Sequence, residues 1–360
     1  MTFVIIFPAT VMRRLRRANV YKSTQKDNSC IIPSMKILFI FLDGIGLGEN
    51  DPGINPLARA RMPNLNALLE GRSLLKESAP FVGEHATLLA IDPAVGVDGL
   101  PQSATGQAML LTGKNIPAEI GYHYGPKPNP EVAAYLNGET LFSRCVETGR
   151  KAALLNAYPP RYFHGINSGK RNYSSIPLAV TSASLELFEH DDLFAGRAVS
   201  ADFTGQGWRD MLGFPDAPVM TPYQAGRKLV SLAMEYDFSL FEYWASDYAG
   251  HKQQMDTAVE LMEAFDGVVG GIVEELKVEG QRSKVEGRRS KEEDELLVLV
   301  TSDHGNMEDV STRRHTDAHV PALVIGSKAA REEFTRGMTD LTHVAPAIWR
   351  TVMRDSSRKL

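Results

Sequence analysis

The sequence predicts an α/β fold with a mostly parallel sheet. Two apolar runs each lead within three residues to an aspartate: residues 35–42, which are apolar apart from Lys36, and residues 296–300. Apolar runs of this length, bounded by charged and turn residues, are typical of strands that are buried on both faces of a parallel sheet. Further strands are expected from residue 151, before Asp247 and over residues 321–326, with helices between them.

Helices are predicted where apolar residues recur with helical spacing between recognisable end signals. Pro63 and Gly71 mark the start and the end of a short helix, and residues 256–276 are amphipathic. One more helix is expected to begin near Ser103 and to end at Gly113. The other predicted helices cover residues 139–149, 222–236 and 341–353.

The composition limits the function classes that the chain can belong to. Its 360 residues are 43% hydrophobic and 23% charged, which is enough for a large core. The net charge is -5 and no basic patch stands out beyond the N-terminus, so nucleic-acid binding is not favoured. Cys30 and Cys145 form neither a CxxC pair nor a disulfide framework, which favours a reducing, cytoplasmic location. No membrane partner is expected either, because the apolar N-terminal run is too short to span a bilayer.

The domain organisation is predicted from shifts in composition. Residues 1–34 are expected to form a disordered leader, because an apolar start is followed by arginines and the first strand opens only at Met35. Residues 35–350 are expected to form one domain, and 351–360 a tail. Within the domain, residues 160–220 are predicted to be a small lobe or loops over the site. Residues 277–294 contain the repeat KVEGQRS then KVEGRRS and are predicted to be a solvated low-complexity insertion.

Candidate metal ligands recur where the predicted strands end. A single Asp-His pair at such a place is equally consistent with a capping aspartate beside a satisfied histidine. Several together are harder to explain without cations, because buried carboxylates need partners or neutralising charge. Two divalent ions about 4 Å apart would supply that charge and could hold a phosphoryl group from both sides. The candidates are Asp43, Asp247 with His251, Asp303 with His304, and His315 or His319.

Ser103 is the candidate nucleophile. It lies where a loop of small and polar residues gives way to a predicted helix. The free amides and the dipole of a helix N-terminus favour an anion there. A serine at this place could instead only cap the helix. If metal ions lie nearby, they lower the pKa of the hydroxyl, and no Ser-His-Asp triad is then needed.

Several motifs, in order along the chain, resemble those of one enzyme family. The segment LDGIGLGENDPGINPLARARMPNLNALLEG, residues 42–71, is similar to the opening of the cofactor-independent phosphoglycerate mutases. Ser103 is followed by Gly106 and Gly113, as in the nucleophile motif of these enzymes. Further along, Asp247 and His251 match an Asp-x-x-x-His motif.

Two further motifs lie near the end of the chain. Residues 303–306 read Asp-His-Gly-Asn, and His315 lies five residues before a Val-Pro pair, which selects it over His319. Over residues 35–115 and 225–350, the chain therefore resembles the alkaline phosphatase superfamily, and most closely the cofactor-independent phosphoglycerate mutases and phosphopentomutases.

The resemblance implies a fold and a set of roles. The fold would be a three-layer α/β/α sandwich, mostly parallel, with a small inserted lobe. Two divalent ions, Mn or Zn, would be the cofactors, and Thr105 is the second candidate for the nucleophile. Asp247, His251 and His315 would hold one ion. The ligands of the other ion would be Asp43, Ser103, Asp303 and His304.

The function that follows from this resemblance is metal-dependent phosphoryl transfer on a small-molecule phosphoester. The enzyme would be a phosphomonoesterase or a phosphodiesterase that forms a phosphoserine intermediate. The region between residues 114 and 222 is shorter than the second domain of the mutases, which favours hydrolysis over isomerisation. A phosphoglycerate mutase-like isomerase and a degenerate metal-binding protein without catalysis stay as alternatives. The oligomeric state is left open.

Some basic and aromatic residues are candidates for substrate contact, although each could equally be an ordinary surface residue. They are His123, Tyr124, Lys127, Arg161 and Arg171.

Overall fold

A computed structural model of the chain describes residues 35–285 and 296–353. The predicted leader 1–34, most of the predicted tail 351–360 and the second half of the predicted insertion 277–294 lie outside the described residues. Among the helices that are described, none is long and apolar enough to cross a membrane.

A seven-stranded sheet forms the centre of the described residues, in the order β2-β3-β7-β6-β1-β5-β4. Strands β4, β5, β1 and β6 are parallel neighbours, whereas β7, β3 and β2 are joined in antiparallel pairs. Five of the seven strands therefore run in the same direction. The strands are β1 (Lys36–Leu42), β2 (Phe81–Val82), β3 (Ala86–Ile91), β4 (Ala152–Leu154), β5 (Phe238–Tyr243), β6 (Leu296–Thr301) and β7 (Val320–Ile325).

Helices cover both faces of this sheet. The described residues also include two 3-10 helices, Lys76–Ser78 and Leu341–His343. The α-helices are α1 (Pro56–Arg59), α2 (Pro63–Leu68), α3 (Ser103–Thr112), α4 (Ile116–Ile120), α5 (Pro130–Leu136), α6 (Leu141–Glu147), α7 (Pro160–Asn167), α8 (Ser175–Ser182), α9 (His190–Phe194), α10 (Gln206–Asp210), α11 (Pro222–Ala233), α12 (Ala245–His251), α13 (Met255–Val285), α14 (Lys328–Phe334) and α15 (Val344–Val352).

The central strand β1 shows why the fold has three layers. Alternate side chains of a strand point to opposite faces of its sheet. Ile37, Phe39 and Phe41 pack into a core with α3, α6, α8 and α15. Leu38 and Ile40, with their neighbours, pack into a second core with α2, α11 and α13. Both faces of β1 are therefore buried, and the predicted α/β/α sandwich is confirmed.

Three differences from the predicted elements bear on the site or its surroundings. Strand β5 ends at Tyr243, so Asp247 lies on α12 and not at the end of a strand. Helix α13 continues to Val285, past its predicted end at residue 276, and so takes in the first half of the predicted insertion. The antiparallel strands β2 and β3 were not predicted, and β2 is only two residues long.

The region 160–220 is built from short helices, α7 to α10. It extends the β4 edge of the sheet through parallel bridges between Asn156 and Val199 and between Ala157 and Phe188. Ala157 also belongs to a small separate core with Leu193, Ala198, Trp208 and Ala217. Whether this region acts as a lobe over the site stays a prediction.

Candidate metal centre

The seven residues predicted to bind metal or phosphate come together at the carboxyl ends of β1, β5 and β6. These strands are parallel neighbours, so their carboxyl ends meet at the same edge of the sheet. Ser103 is the first residue of α3, and His315 lies in the loop before β7. The others follow the strands: Asp43 after β1, Asp247 and His251 on α12 after β5, and Asp303 and His304 after β6.

Four of these residues form an inner cluster, defined as Asp43, Ser103, Asp303 and His304. Each is at most 9% exposed. The Nε2 atom of His304 lies 3.0 Å from Ser103 Oγ, 3.5 Å from Asp43 Oδ1 and 3.6 Å from Asp303 Oδ2. The imidazole of His304 is therefore central to the inner cluster.

The other three residues form an outer cluster, defined as Asp247, His251 and His315. His251 Nε2 lies 3.3 Å from Asp247 Oδ2 and 3.2 Å from His315 Nε2. The rings of His304 and His315 stack with their centroids 3.7 Å apart, so the two clusters are contiguous. Ligand atoms of Asp43, Asp303 and His304 lie within 4.8 Å of one another, as do those of Asp247, His304 and His315.

The histidine tautomers are set by backbone carbonyl groups. His315 Nδ1 lies 2.8 Å from the carbonyl oxygen of Pro101, and His251 Nδ1 lies 2.7 Å from that of Arg313. Each Nδ1 is therefore the protonated nitrogen and donates, which leaves a lone pair on Nε2. The two Nε2 atoms face each other at 3.2 Å with no hydrogen between them.

The acceptor atoms of the site that have no hydrogen-bond donor are suited to binding divalent cations. Two opposed lone pairs repel unless a cation lies against them. The buried Oδ1 of Asp43 has no hydrogen-bond partner and lies 3.5 Å from Nε2 of His304. Carboxylate oxygen and imidazole nitrogen together suit zinc- and manganese-like ions.

Burial shifts the pKa values of the buried site residues so that their neutral forms are favoured. Burial, and then the charge of Asp247, raises the pKa of Asp303 to about 7. The pKa of Asp43 is also raised, by burial and by Asp303. Burial lowers the pKa of His304 and of His315 to about 4, with His304 adding to the effect on His315. Both imidazoles are therefore neutral at pH 7 and have a lone pair for a metal ion.

Comparison with known proteins agrees with this geometry. A sequence model described as the Metalloenzyme superfamily matches residues 288–355. The 2,3-bisphosphoglycerate-independent phosphoglycerate mutase of Aliivibrio fischeri is 29% identical over 179 residues, which cover 45% of this chain and 31% of the mutase. The corresponding mutase of Thiobacillus denitrificans is 26% identical over 202 residues, 52% of this chain and 36% of the mutase. The chain thus spans about a third of the length of these curated relatives.

The fold is also similar to that of a solved phosphatase. A magnesium-bound mutant of the alkaline phosphatase from the Antarctic bacterium TAB5 aligns with a TM-score of 0.50 and 11% identity, over 89% of this chain and 99% of that chain. Together, the matched superfamily model, these mutases and the similar phosphatase fold support an alkaline phosphatase-superfamily metalloenzyme near the cofactor-independent phosphoglycerate mutases. The matched metalloenzyme superfamily implies divalent metal cofactors.

Two glycines of the superfamily-like motifs are required by close contacts in the site. Gly44 has a φ of +69°, and a Cβ atom there would lie 2.7 Å from Asp247 Oδ1. A Cβ atom on Gly106 would lie 2.8 Å from the Cβ of Asp303. A side chain at either position would therefore displace a candidate ligand.

Glu308 is a buried carboxylate of the site that sequence reasoning missed. Its Oε2 accepts hydrogen bonds from the amides of Gly46 at 2.9 Å and of Asn306 at 2.8 Å, and its Oε1 accepts one from the Thr316 hydroxyl. Burial raises its pKa. Glu308 therefore ties the loop after Asp43 to the loops that carry Asp303 and His315. The signal was present in the sequence as an acidic residue two positions after the Asp-His-Gly-Asn motif.

Other polar side chains near the site donate hydrogen bonds to candidate ligands or are buried close to them. Asn306 Nδ2 donates to Asp247 Oδ1 at 2.6 Å, and Gln107 Nε2 donates to Asp303 Oδ2 at 3.3 Å. Glu242 of β5 is 7% exposed and accepts a hydrogen bond from the Tyr158 hydroxyl at 3.3 Å. Burial raises the pKa of Glu242 to about 7. A glutamate inside the apolar run FSLFEY was the sequence signal for this group.

Thr105 and the candidate substrate contacts lie around the inner cluster. The hydroxyl of Thr105 donates to the carbonyls of Gln102 and Tyr124, at 3.1 and 3.3 Å, so it is engaged in holding the backbone. His123 and Tyr124 line a cavity against the loop that precedes Ser103. The basic candidates do not line this cavity: Lys127 Nζ donates to the Asn172 carbonyl at 3.2 Å, the Arg171 guanidinium lies 4.8 Å from the Tyr162 ring centroid, and Arg161 is exposed on α7.

Proposed function

We propose that this chain hydrolyses phosphomonoesters in a metal-dependent reaction, with Ser103 as the nucleophile. One observation carries the proposal. The hydroxyl of Ser103 lies at the N-terminus of α3 and 3.0 Å from His304 Nε2, within the inner cluster of candidate metal ligands. Phosphoryl transfer needs a nucleophile among positive charges, because negative charge on the phosphoryl oxygens must be neutralised.

The two clusters would hold two divalent ions, Mn or Zn. The inner cluster would bind one ion, and Asp247, His251 and His315 the other. When bound, the ions neutralise the phosphoryl oxygens and lower the pKa of the attacking hydroxyl. A cytoplasmic location stays a prediction.

The residues of the chain would position the substrate and the metal ligands, and none of them is assigned a proton-transfer step. Ser103 and Ala104 are the first residues of α3, so their amides have no carbonyl partner within the helix and can donate to a phosphoryl oxygen. Ser103 Oγ would lose its proton to water and form a bond to phosphorus, while the bond from phosphorus to the ester oxygen breaks and that oxygen takes up a proton from water. A second water molecule would then hydrolyse the phosphoserine, which releases phosphate and restores the Ser103 hydroxyl. Glu308, Asn306 and Gln107 would keep the ligands in place through their hydrogen bonds.

The test is a panel of phosphoester substrates assayed with Mn and with Zn. Activity of the Ser103→Ala variant should fall by at least about 10³-fold, because no phosphoserine can form. Thr105→Val is the matched control and should stay within about tenfold of the wild type, since its hydroxyl only supports the backbone. Retained activity in Ser103→Ala, together with a loss in Thr105→Val, would transfer the role to Thr105.

A phosphoglycerate mutase-like isomerase is the second candidate, and the names of the sequence relatives favour it. Assaying 3-phosphoglycerate for both 2-phosphoglycerate and free phosphate separates the two reactions. Hydrolysis predicts phosphate as the main product, and isomerisation predicts 2-phosphoglycerate. Two results together would instead indicate a degenerate protein without catalysis. The purified protein would contain well under one equivalent of metal, and Asp303→Ala would not change the phosphatase rate.

A further inference from the structure

A cavity of about 400 Å³ lies against the loop that precedes Ser103. Its lining includes Gln102, which precedes Ser103 in the chain, and Gly125, where a Cβ atom would lie 3.1 Å from the Ser103 amide nitrogen. The same loop reaches the outer cluster, since the Pro101 carbonyl accepts the hydrogen bond of His315. A cavity of this size and position suits the part of a small substrate that extends away from the phosphoryl group.

The charge of this cavity is the feature that limits its ligand. Its lining includes the exposed residue Asp98 and, among the described residues, neither lysine nor arginine. His123 adds no positive charge at neutral pH, because burial lowers its pKa and its Nε2 lies 3.3 Å from the Val97 carbonyl. Lys127, close by in sequence, donates to the Asn172 carbonyl instead.

The remaining walls are apolar or neutral. The rings of Tyr122 and Tyr124 meet edge to face with centroids 6.0 Å apart, and Leu100 adds an alkyl surface. The Tyr122 hydroxyl is occupied, since it donates to Glu131 at 2.7 Å. Gln102 supplies a side-chain amide. Such walls accept carbon chains and hydroxyl groups, whereas a carboxylate would meet Asp98 with no lysine or arginine in the lining to offset the repulsion.

We propose that this cavity binds the leaving group and selects phosphomonoesters whose leaving group is uncharged over those that carry a carboxylate. The inference rests on the proposed phosphoryl-transfer function and narrows it to a substrate class. It assigns Asp98 as a residue that determines specificity through its charge, without a part in the chemical step. It also separates this chain from an enzyme that works on phosphoglycerate.

Two esters of equal size test the inference. Glycerol 3-phosphate and 3-phosphoglycerate share the same three-carbon skeleton and differ in a hydroxymethyl group against a carboxylate. The measured quantity is the ratio of kcat/KM for the two esters in the metal-loaded enzyme. We expect the wild type to favour glycerol 3-phosphate by at least about tenfold, the scale of an uncompensated charge contact.

Variants of Asp98 then show whether its charge is the cause. Asp98→Asn and Asp98→Lys should lower the ratio in steps, the second by about fivefold or more, because the repulsion is removed and then reversed. Glu147→Lys is the matched control, since it makes the same charge change at an exposed site on α6 and should leave the ratio within about twofold. Thermal melting of each variant checks that it is folded.

The outcomes are distinct. A wild type that uses 3-phosphoglycerate as well as glycerol 3-phosphate would overturn the inference alone, as would an unchanged ratio in Asp98→Lys. If the metal-loaded wild type turned over neither ester nor any other phosphoester, the proposed function would fail, and the substrate class would fail with it.

Discussion

The inner and outer clusters differ in how the fold holds them. Asp43 and Asp303 follow two neighbouring central strands, and the side chains of Asp303 and His304 are fully buried. Asp247 and His251 lie one turn apart on the short helix α12, with side chains 17% and 41% exposed. Sheet register therefore fixes the inner cluster, whereas local structure at the rim holds the outer one. We infer that an inner ion would be retained and that an outer ion would exchange with solvent.

Ligand substitutions should have unequal effects in the two clusters. Asp303→Ala should lower phosphatase activity on the order of 10³-fold or more and remove the inner ion, because it deletes a fully buried candidate ligand of that ion. His251→Ala should lower activity by about 10- to 100-fold and weaken only the outer ion. Metal analysis of the purified variants and kinetic assays with added metal measure both effects.

His319→Ala is the control for this comparison. His319 is exposed in the same loop as His315 but belongs to neither cluster, so its loss should leave metal content and activity unchanged. Equal losses of metal in Asp303→Ala and His251→Ala would show that the two clusters bind as one unit and that the distinction drawn here is wrong.

The inner cluster was also the easier one to predict from the sequence. Asp43 and Asp303 follow long apolar runs, and the pattern of such runs places their ends at one edge of a parallel sheet. The position of Asp247 was predicted less well, because the strand FSLFEY is followed by a short helix whose start has no side-chain cap to signal it. Glu308 was missed for a different reason. Its partners are backbone amides and a hydroxyl brought together only by the folded loops.

Glu308 links the two clusters, so changing it should affect both. Glu308 Oε2 accepts hydrogen bonds from the backbone amides of Gly46 and Asn306. Glu308→Gln replaces one carboxylate oxygen with an NH₂ group, which donates hydrogen bonds and does not accept them. We expect the affinity for metal to fall by about 10- to 100-fold at both clusters. Titration of the metal-free protein with Mn, followed by calorimetry, measures the two affinities. Asp317→Asn is the matched control, because this exposed residue lies next to Thr316 in the chain. The substitution should leave both metal affinities unchanged. Weakening at one cluster alone would show that Glu308 supports only that cluster.

The pH dependence of metal binding should also separate the clusters. Burial raises the pKa of Asp303 to about 7 in the metal-free protein, far above its value in the unfolded chain. The folded metal-free state therefore binds more protons than the unfolded state between about pH 4 and pH 7, and its stability falls as the pH rises through that window. A metal ion needs the ionised carboxylate, so at pH 6 it must displace a proton that is already absent at pH 8.

The melting temperature should consequently rise more on addition of Mn at pH 8 than at pH 6. One displaced proton corresponds to an apparent affinity about tenfold weaker for each pH unit below the pKa. Thermal melts of the wild type with and without Mn at both pH values measure the difference. His251→Ala, which leaves the inner cluster intact, should keep this difference. Asp303→Asn should reduce it, and the raised pKa of Asp43 accounts for what is left. If Mn raised the melting temperature of the wild type equally at pH 6 and pH 8, the inner cluster of the metal-free protein would not be protonated at pH 6, and the prediction would be wrong.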